Sequence, residues 1–254
     1  MKRFALRPGS GPVPSSDTQH AAAGTRLSAV RWAWEWAKSV LIAFVLFIVI
    51  RTFIVEAFRI PTASMENTLL VGDFLLVNKA VYGAQVPGTA VHLPAIHAPR
   101  RGEVIVFVPP HELETNSVKR LIGIAGDTLA MQNKKLFRNG EEVAEPYAQF
   151  SDPDGDVWVP GMLWQREHFA GDSDPDEYQP TRDNWGPIVV PPGRYFVLGD
   201  NRDDSEDSRY WGFVDQAAVK GQPLFVYYSF EPRTLRDHAW LTEIRWGRIG
   251  GVIH

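Results

Sequence analysis

Hydrophobic positions fall into two patterns along the chain. From about Trp36 to Val55 they crowd together, unbroken through Val40-Leu-Ile-Ala-Phe-Val-Leu-Phe-Ile-Val-Ile50; beyond Phe58 they come in short runs closed by Gly, Pro, Asp or Asn. An apolar run of about twenty residues, rising about 1.5 Å each, reaches about 30 Å, the depth of a bilayer's hydrocarbon layer. It predicts a membrane-spanning helix, placed at residues 36–57. Lys38 and Arg51 flank the run where long cationic side chains snorkel, and Trp32, Trp34 and Trp36 form an aromatic belt at its entry. Arg51 and Glu56 stand where a cleavable secretory signal would carry small residues, so the segment reads as a retained anchor.

The short runs are strand-like. Phe74-Leu-Leu-Val77, Glu103-Val-Ile-Val-Phe-Val108, Arg194-Tyr-Phe-Val-Leu198 and Leu224-Phe-Val-Tyr-Tyr228 are rich in β-branched and aromatic residues. Lys135-Leu-Phe-Arg-Asn-Gly-Glu-Glu-Val143 predicts a hairpin turning at Asn139-Gly140. The Pro-, Asp- and Trp-rich stretch from about Tyr147 to Pro192 reads as an irregular insertion, and the pattern as a whole gives a mostly β protein.

Composition and charge add a compartment and remove some chemistries. With 254 residues and 44% hydrophobic composition, the chain can bury a substantial core. The absence of cysteine excludes disulfides and thiol catalysis. Residues 1–38 hold six basic side chains against Asp17 and Glu35, a net +4 in a chain of net −4, which leaves −8 for the remainder. Positive charge stays on the cytoplasmic side, so the N-terminus is expected there and the larger part is expected to be exported. Residues 1–35 read as a basic leader, flexible between Pro8 and Thr25.

Candidate chemistry centres on Ser64, a few residues beyond the apolar run, and Lys119. A serine hydroxyl becomes a nucleophile when a base takes its proton, and a lysine amine can be that base if burial drives its pKa down. Val118 before Lys119 and Leu121-Ile122 after it make its strand apolar, but alternation alone does not tell which face Lys119 takes. On spacing alone, a serine and a lysine 55 positions apart are two unrelated surface residues. His111-Glu112 lacks the second histidine of a zinc-protease helix, and Asp152-Pro-Asp-Gly-Asp156 lacks the closing glutamate of a calcium loop, so no metal and no cofactor are expected.

Ordered motifs change that balance. Ser64-Met65 with Thr68-Leu69, Gly72-Asp73, Asn78-Lys79, Lys119-Arg120 with Gly123 and Gly126-Asp127, and Gly199-Asp-Asn-Arg-Asp-Asp-Ser-Glu-Asp-Ser-Arg-Tyr-Trp-Gly212 resemble, in order, the boxes of bacterial type I signal peptidases. The resemblance runs from the apolar segment to the terminal Arg248–His254 and omits mainly the leader and the acidic insertion. One departure is Asn67, where the family usually has proline, and a looser turn after Ser64 is expected from it.

The resemblance implies an antiparallel, barrel-like catalytic domain over 58–254, with a smaller β or irregular subdomain inserted at approximately 128–193. It implies Ser64 as nucleophile, Lys119 as general base, and an oxyanion hole from the Ser64 N–H and the Thr62 hydroxyl. Ser205 would orient Lys119, and Asp207 and Arg209 would form a supporting ion pair. Phe58, Ile60, Leu69 and Val118 would line small pockets that select Ala-X-Ala before the cut. The implied partners are secretory preproteins, membrane lipid and a neighbouring export translocon, with no nucleic acid. The implied location is the bacterial inner membrane, with the catalytic domain on the periplasmic side. Two readings of other classes stand beside it: a non-catalytic anchored β module for envelope assembly, and a self-cleaving Ser/Lys regulator.

Overall fold

The computed structural model describes residues 17–83, 86, 88–89, 91, 93–152, 155–172, 174–234 and 238–254, with side chains from Arg31 onward. Residues 1–16 of the expected leader and residues 153–154 and 173 of the acidic stretch lie outside the described residues. The chain divides into two units, Met1–Val49 and Ile50–His254.

Helix α1 spans Asp17–Phe53. It therefore includes residues 17–25, expected to be flexible, where Ala21-Ala-Ala23 and Leu27 favour helix. Its stretch Arg31–Phe53, 23 residues, is long and apolar enough to cross a membrane, and none of it is buried. The helix stops four residues short of the expected end at 57, because Val55–Arg59 forms strand β1, paired antiparallel with β2 (Asp73–Asn78). Cross-strand pairing takes the β-branched Val55 out of the helical run.

The second unit is built from antiparallel strands. β3 (Val104–Phe107), β4 (Ser117–Ile124), β5 (Thr128–Gln132), β6 (Lys135–Arg138), β7 (Glu141–Glu142), β8 (Trp185–Val189), β9 (Arg194–Leu198), β10 (Val214–Asp215) and β11 (Val219–Ser229) follow in sequence. One sheet has seven strands in the order β1-β2-β11-β3-β4-β9-β10, and the other four, β7-β6-β5-β8. Register shifts in β11 and in β4 mark bulges, which bend and curl a sheet. The predicted hairpin is present: β6 and β7 pair around Asn139 and Gly140, both at positive φ. The stretch read as irregular contains β8 and a 3-10 helix over Pro160–His168.

Alternation sorts the side chains of the larger sheet onto two faces. Val104 and Val106 of β3 join Ile60, Met65, Leu69, Leu75, Val77 and Val226 in one core cluster, while Ile105 and Phe107 join Leu121, Tyr195, Val197 and Val214 in another. A third cluster joins the sheets, with Phe196 and Leu198 of β9 against Leu129, Met131, Leu136 and Ile188. Because β3 and the middle of β4 are covered on both faces, Lys119 and Arg120 are buried although they point to opposite sides of the sheet.

Candidate active site

The turn that carries Ser64 follows β1. Ile60 N–H donates to the Asp73 carbonyl and Gly72 N–H to the Ile60 carbonyl, closing a loop over residues 60–73. Within it Leu69 N–H donates to the Met65 carbonyl at 2.7 Å, and the side chains of Met65 and Leu69 sink into the core. Ser64 is thus raised on a short turn pinned from below by apolar burial.

Lys119 comes from β4, opposite Ile105 of β3. Its side chain is 5% exposed, Ser64 is 8% exposed, and Lys119 Nζ lies 2.5 Å from Ser64 Oγ. Burial pulls the Lys119 amine down from 10.5 to about 8 by disfavouring the ammonium; Asp207 pushes the other way and Arg209 reinforces burial. Thr62 Oγ1 lies 3.4 Å from Ser64 Oγ, and among the described residues the Ser64 N–H has no acceptor.

The segment after β9 packs beneath this pair. Asp207 caps α2 (Ser208–Trp211), accepts two hydrogen bonds from the Arg209 guanidinium at 2.8 and 2.9 Å, and accepts one from Gly199 N–H at 3.0 Å. Both partners are fully buried, and Arg209 with the surrounding donors holds the Asp207 carboxyl below its ordinary range even though burial alone would raise it. Ser205 Oγ donates to Asp207 at 2.8 Å, and Ser205 lines the same cleft as Lys119. A hydroxyl donating in this direction keeps its lone pairs for an N–H donor.

Gly199 sits so close that a β-carbon there would stand 2.2 Å from Ser205 Oγ and 2.4 Å from the Ser64 carbonyl oxygen. Asn201 N–H donates to the Ser64 carbonyl at 3.1 Å. Beside it, Asp200 takes a bidentate pair from Arg120 at 2.8 and 2.7 Å and a hydrogen bond from Thr68 at 2.5 Å. These structural roles of Gly199, Asp200, Asn201 and Arg120 were missed in the sequence, although all four lie inside the motifs quoted from it.

Ser64 and Lys119 stand where two cavities meet. The smaller, about 140 Å³, is lined by Phe58, Ile60, Met65 and Val118 together with Thr62, Ser64 and Lys119. Leu69, expected in such a pocket, is wholly buried core and does not line it; Met65 does. The larger, about 660 Å³, runs from Thr62, Ser64 and Lys119 past His111 and Glu112 to Asp204, Glu206 and Tyr210. A buried amine of depressed pKa, touching a serine hydroxyl at the mouth of an open cleft, can deprotonate that hydroxyl for attack on a carbonyl.

The sequence profile described as "Signal peptidase, peptidase S26" matches residues 33–228. The chain is 41% identical over 235 residues to Signal peptidase I of Pseudomonas aeruginosa, covering 87% of this chain and 79% of that protein. It is 36% identical over 215 residues to Signal peptidase I of Pseudomonas fluorescens (78% and 74%), and 36% identical over 225 residues to Signal peptidase I of Aquifex aeolicus (74% and 81%).

Proposed function

Because the chain belongs to the signal peptidase family S26, and is a membrane-anchored serine endopeptidase that removes signal peptides from preproteins, we propose that Ser64 is its nucleophile and Lys119 its general base. The observation that carries this assignment is the 2.5 Å contact between Lys119 Nζ and Ser64 Oγ in a buried setting. Neutral Lys119 takes the hydroxyl proton as Ser64 Oγ attacks the scissile carbonyl. The developing oxyanion is met by the Ser64 N–H and the Thr62 hydroxyl. Lys119, now an ammonium, returns the proton to the departing amine, and an ester between Ser64 and the signal peptide remains. A water deprotonated by Lys119 then attacks that ester and frees the serine. Ser205 orients the amine, and the Asp207–Arg209 pair fixes Ser205.

The precursor binds as an added strand between residues 58–62 and 115–118, which places the residues one and three before the cut on one face. The cavity walled by Phe58, Ile60, Met65 and Val118, beside Ser64, receives the small side chains of an Ala-X-Ala site. Asn201, Arg120 and Asp200 support the Ser64 turn from below. The second sheet, within about 128–193, is the inserted subdomain. The net positive charge of residues 1–38 sets the N-terminus in the cytoplasm of a bacterial inner membrane, with residues 58–254 on the periplasmic side, against lipid and near the translocon.

The test is mass spectrometry of a secretory precursor incubated with the detergent-solubilised protein beside Ser64→Ala and Lys119→Ala. A single cut after Ala-X-Ala, lost in both folded variants, is expected. Full activity in either variant removes it from the mechanism.

A further inference from the structure

Asn67 stands three residues beyond the nucleophile with φ at 87°, in the left-handed region that asparagine tolerates better than most residues. Its side-chain Nδ2 donates to the Tyr147 carbonyl at 3.1 Å, across 80 positions of sequence. The turn is therefore tied down rather than loosened by this residue, against the expectation from its departure from proline.

The segment it grips is itself fastened. The Glu145 carboxylate accepts from both terminal nitrogens of Arg202 at 2.7 and 2.8 Å, and both side chains are nearly or wholly buried. Gln149 N–H donates to the Asp200 carbonyl at 2.7 Å, and Arg202 N–H donates to the Gln149 carbonyl at 2.8 Å. Between them the Tyr147 ring lies 3.8 Å from the Arg120 guanidinium carbon, and the same guanidinium grips Asp200. Residues 145–149 thus form a strap bonded to residues 200–202.

Those same residues hold Ser64 from its other side. Asn201 N–H donates to the Ser64 carbonyl, and Asn201 Nδ2 donates to the Ala63 carbonyl at 3.2 Å. Thr68 hydrogen-bonds Asp200. The contacts close a ring: from the Ser64 turn to Asn201, along 200–202 to the strap, and through Asn67 back to the turn.

We infer that Asn67 is a positioning residue for the cleavage reaction, acting through its left-handed backbone and its side-chain hydrogen bond to the Tyr147 carbonyl to hold Ser64 Oγ against Lys119. The inference rests on the Ser64–Lys119 reading above. Asn67 is exposed and touches neither reacting atom, so its influence is on the geometry of attack rather than on the binding of the precursor.

The full-length protein in detergent, acting on an Ala-X-Ala precursor peptide, tests this through three variants. Asn67→Gly keeps the left-handed turn and loses the amide. Asn67→Asp keeps the shape and the tolerance of positive φ, but sets a carboxylate oxygen against the Tyr147 carbonyl. Asn67→Pro restores the usual family residue and forces φ to about −65°. Expected are a fall in kcat of about three- to tenfold for Gly and Asp, a fall of about thirtyfold or more for Pro, KM within about twofold of wild type, and, for Gly and Asp, an unchanged Tm. If Pro fails to fold, Gly and Asp carry the test. Wild-type kcat in both Gly and Asp overturns the amide's role, wild-type kcat in Pro overturns the backbone's, and a loss that tracks a fall in Tm reduces Asn67 to a stabilising turn residue. Wild type that cuts nothing defeats the Ser64–Lys119 reading itself, and this inference with it; wild type that cuts while Ser64→Ala does not leaves that reading standing whatever Asn67 does.

Discussion

Lys119 shows how the acidity of a single side chain is set by what surrounds it. Loss of water is the largest influence and lowers its pKa; Asp207 works against it and Arg209 with it. With the folded pKa near 8, kcat/KM should rise with pH through about 8 and then level off, and a pH–rate profile checks this. The same shift acts on stability. The folded pKa lies below the unfolded one, so the unfolded chain binds the proton more tightly between about 8 and 10.5, and stability rises with pH across that window. Below it the buried amine carries a constant penalty. Lys119→Met should therefore abolish cleavage yet raise stability at neutral pH by up to about 3 kcal/mol, with the difference closing above the unfolded pKa. Denaturant melts at pH 7 and pH 11 measure it, and a destabilised variant at pH 7 would sink the account. In the sequence, Ser64 and Lys119 are legible from motif order. The face of Lys119 is not, because β4 is covered on both sides and buries Arg120 as fully as Lys119.

At the level of elements, the segment between β9 and α2 has the least room for change. Gly199 is needed for closeness rather than for an unusual backbone angle: a methyl there would collide with Ser205 Oγ and with the Ser64 carbonyl. Gly199→Ala is expected to lower kcat by at least about a hundredfold by parting Ser64 from Lys119, while circular dichroism stays that of the wild type. An active Gly199→Ala protein would show that the segment yields. The strands most legible in sequence were those with dense β-branched or aromatic runs, β2, β3, β9 and β11. β8 was hidden because Trp185-Gly-Pro-Ile-Val reads as a turn; it becomes a strand only through pairing with β5. The end of α1 was misplaced for a related reason. Apolar residues recur beyond the run at Val55, Ala57 and Phe58, and only the partner strand β2 shows where helix gives way to sheet.

For the whole molecule, the change from helix to sheet within residues 53–55 makes a sharp cut possible. A chain starting at Ile54 keeps every strand and should fold and cleave a soluble precursor peptide. A chain starting at Ile60 loses β1, bares the edge of β2 and removes Phe58 from the small cavity; it should aggregate or lose most activity, which size-exclusion chromatography and peptide cleavage report. Equal behaviour of the two would make β1 dispensable. The charge contrast between residues 1–38 and the rest was legible at this scale without any structure, whereas the strap over 145–149 was not, since its contacts join positions far apart in an unpatterned stretch. The dryness around Lys119 also bears on life among other proteins. With a pKa near 8, Lys119 is neutral in only about a tenth of the unoccupied molecules at pH 7. On the proposed role of Lys119 as base, a peptide that fills the cleft and drives out water would shift that fraction upward, so a well-fitting precursor would arm the enzyme that cuts it, while a poorly fitting chain drifting past would meet a largely disarmed one.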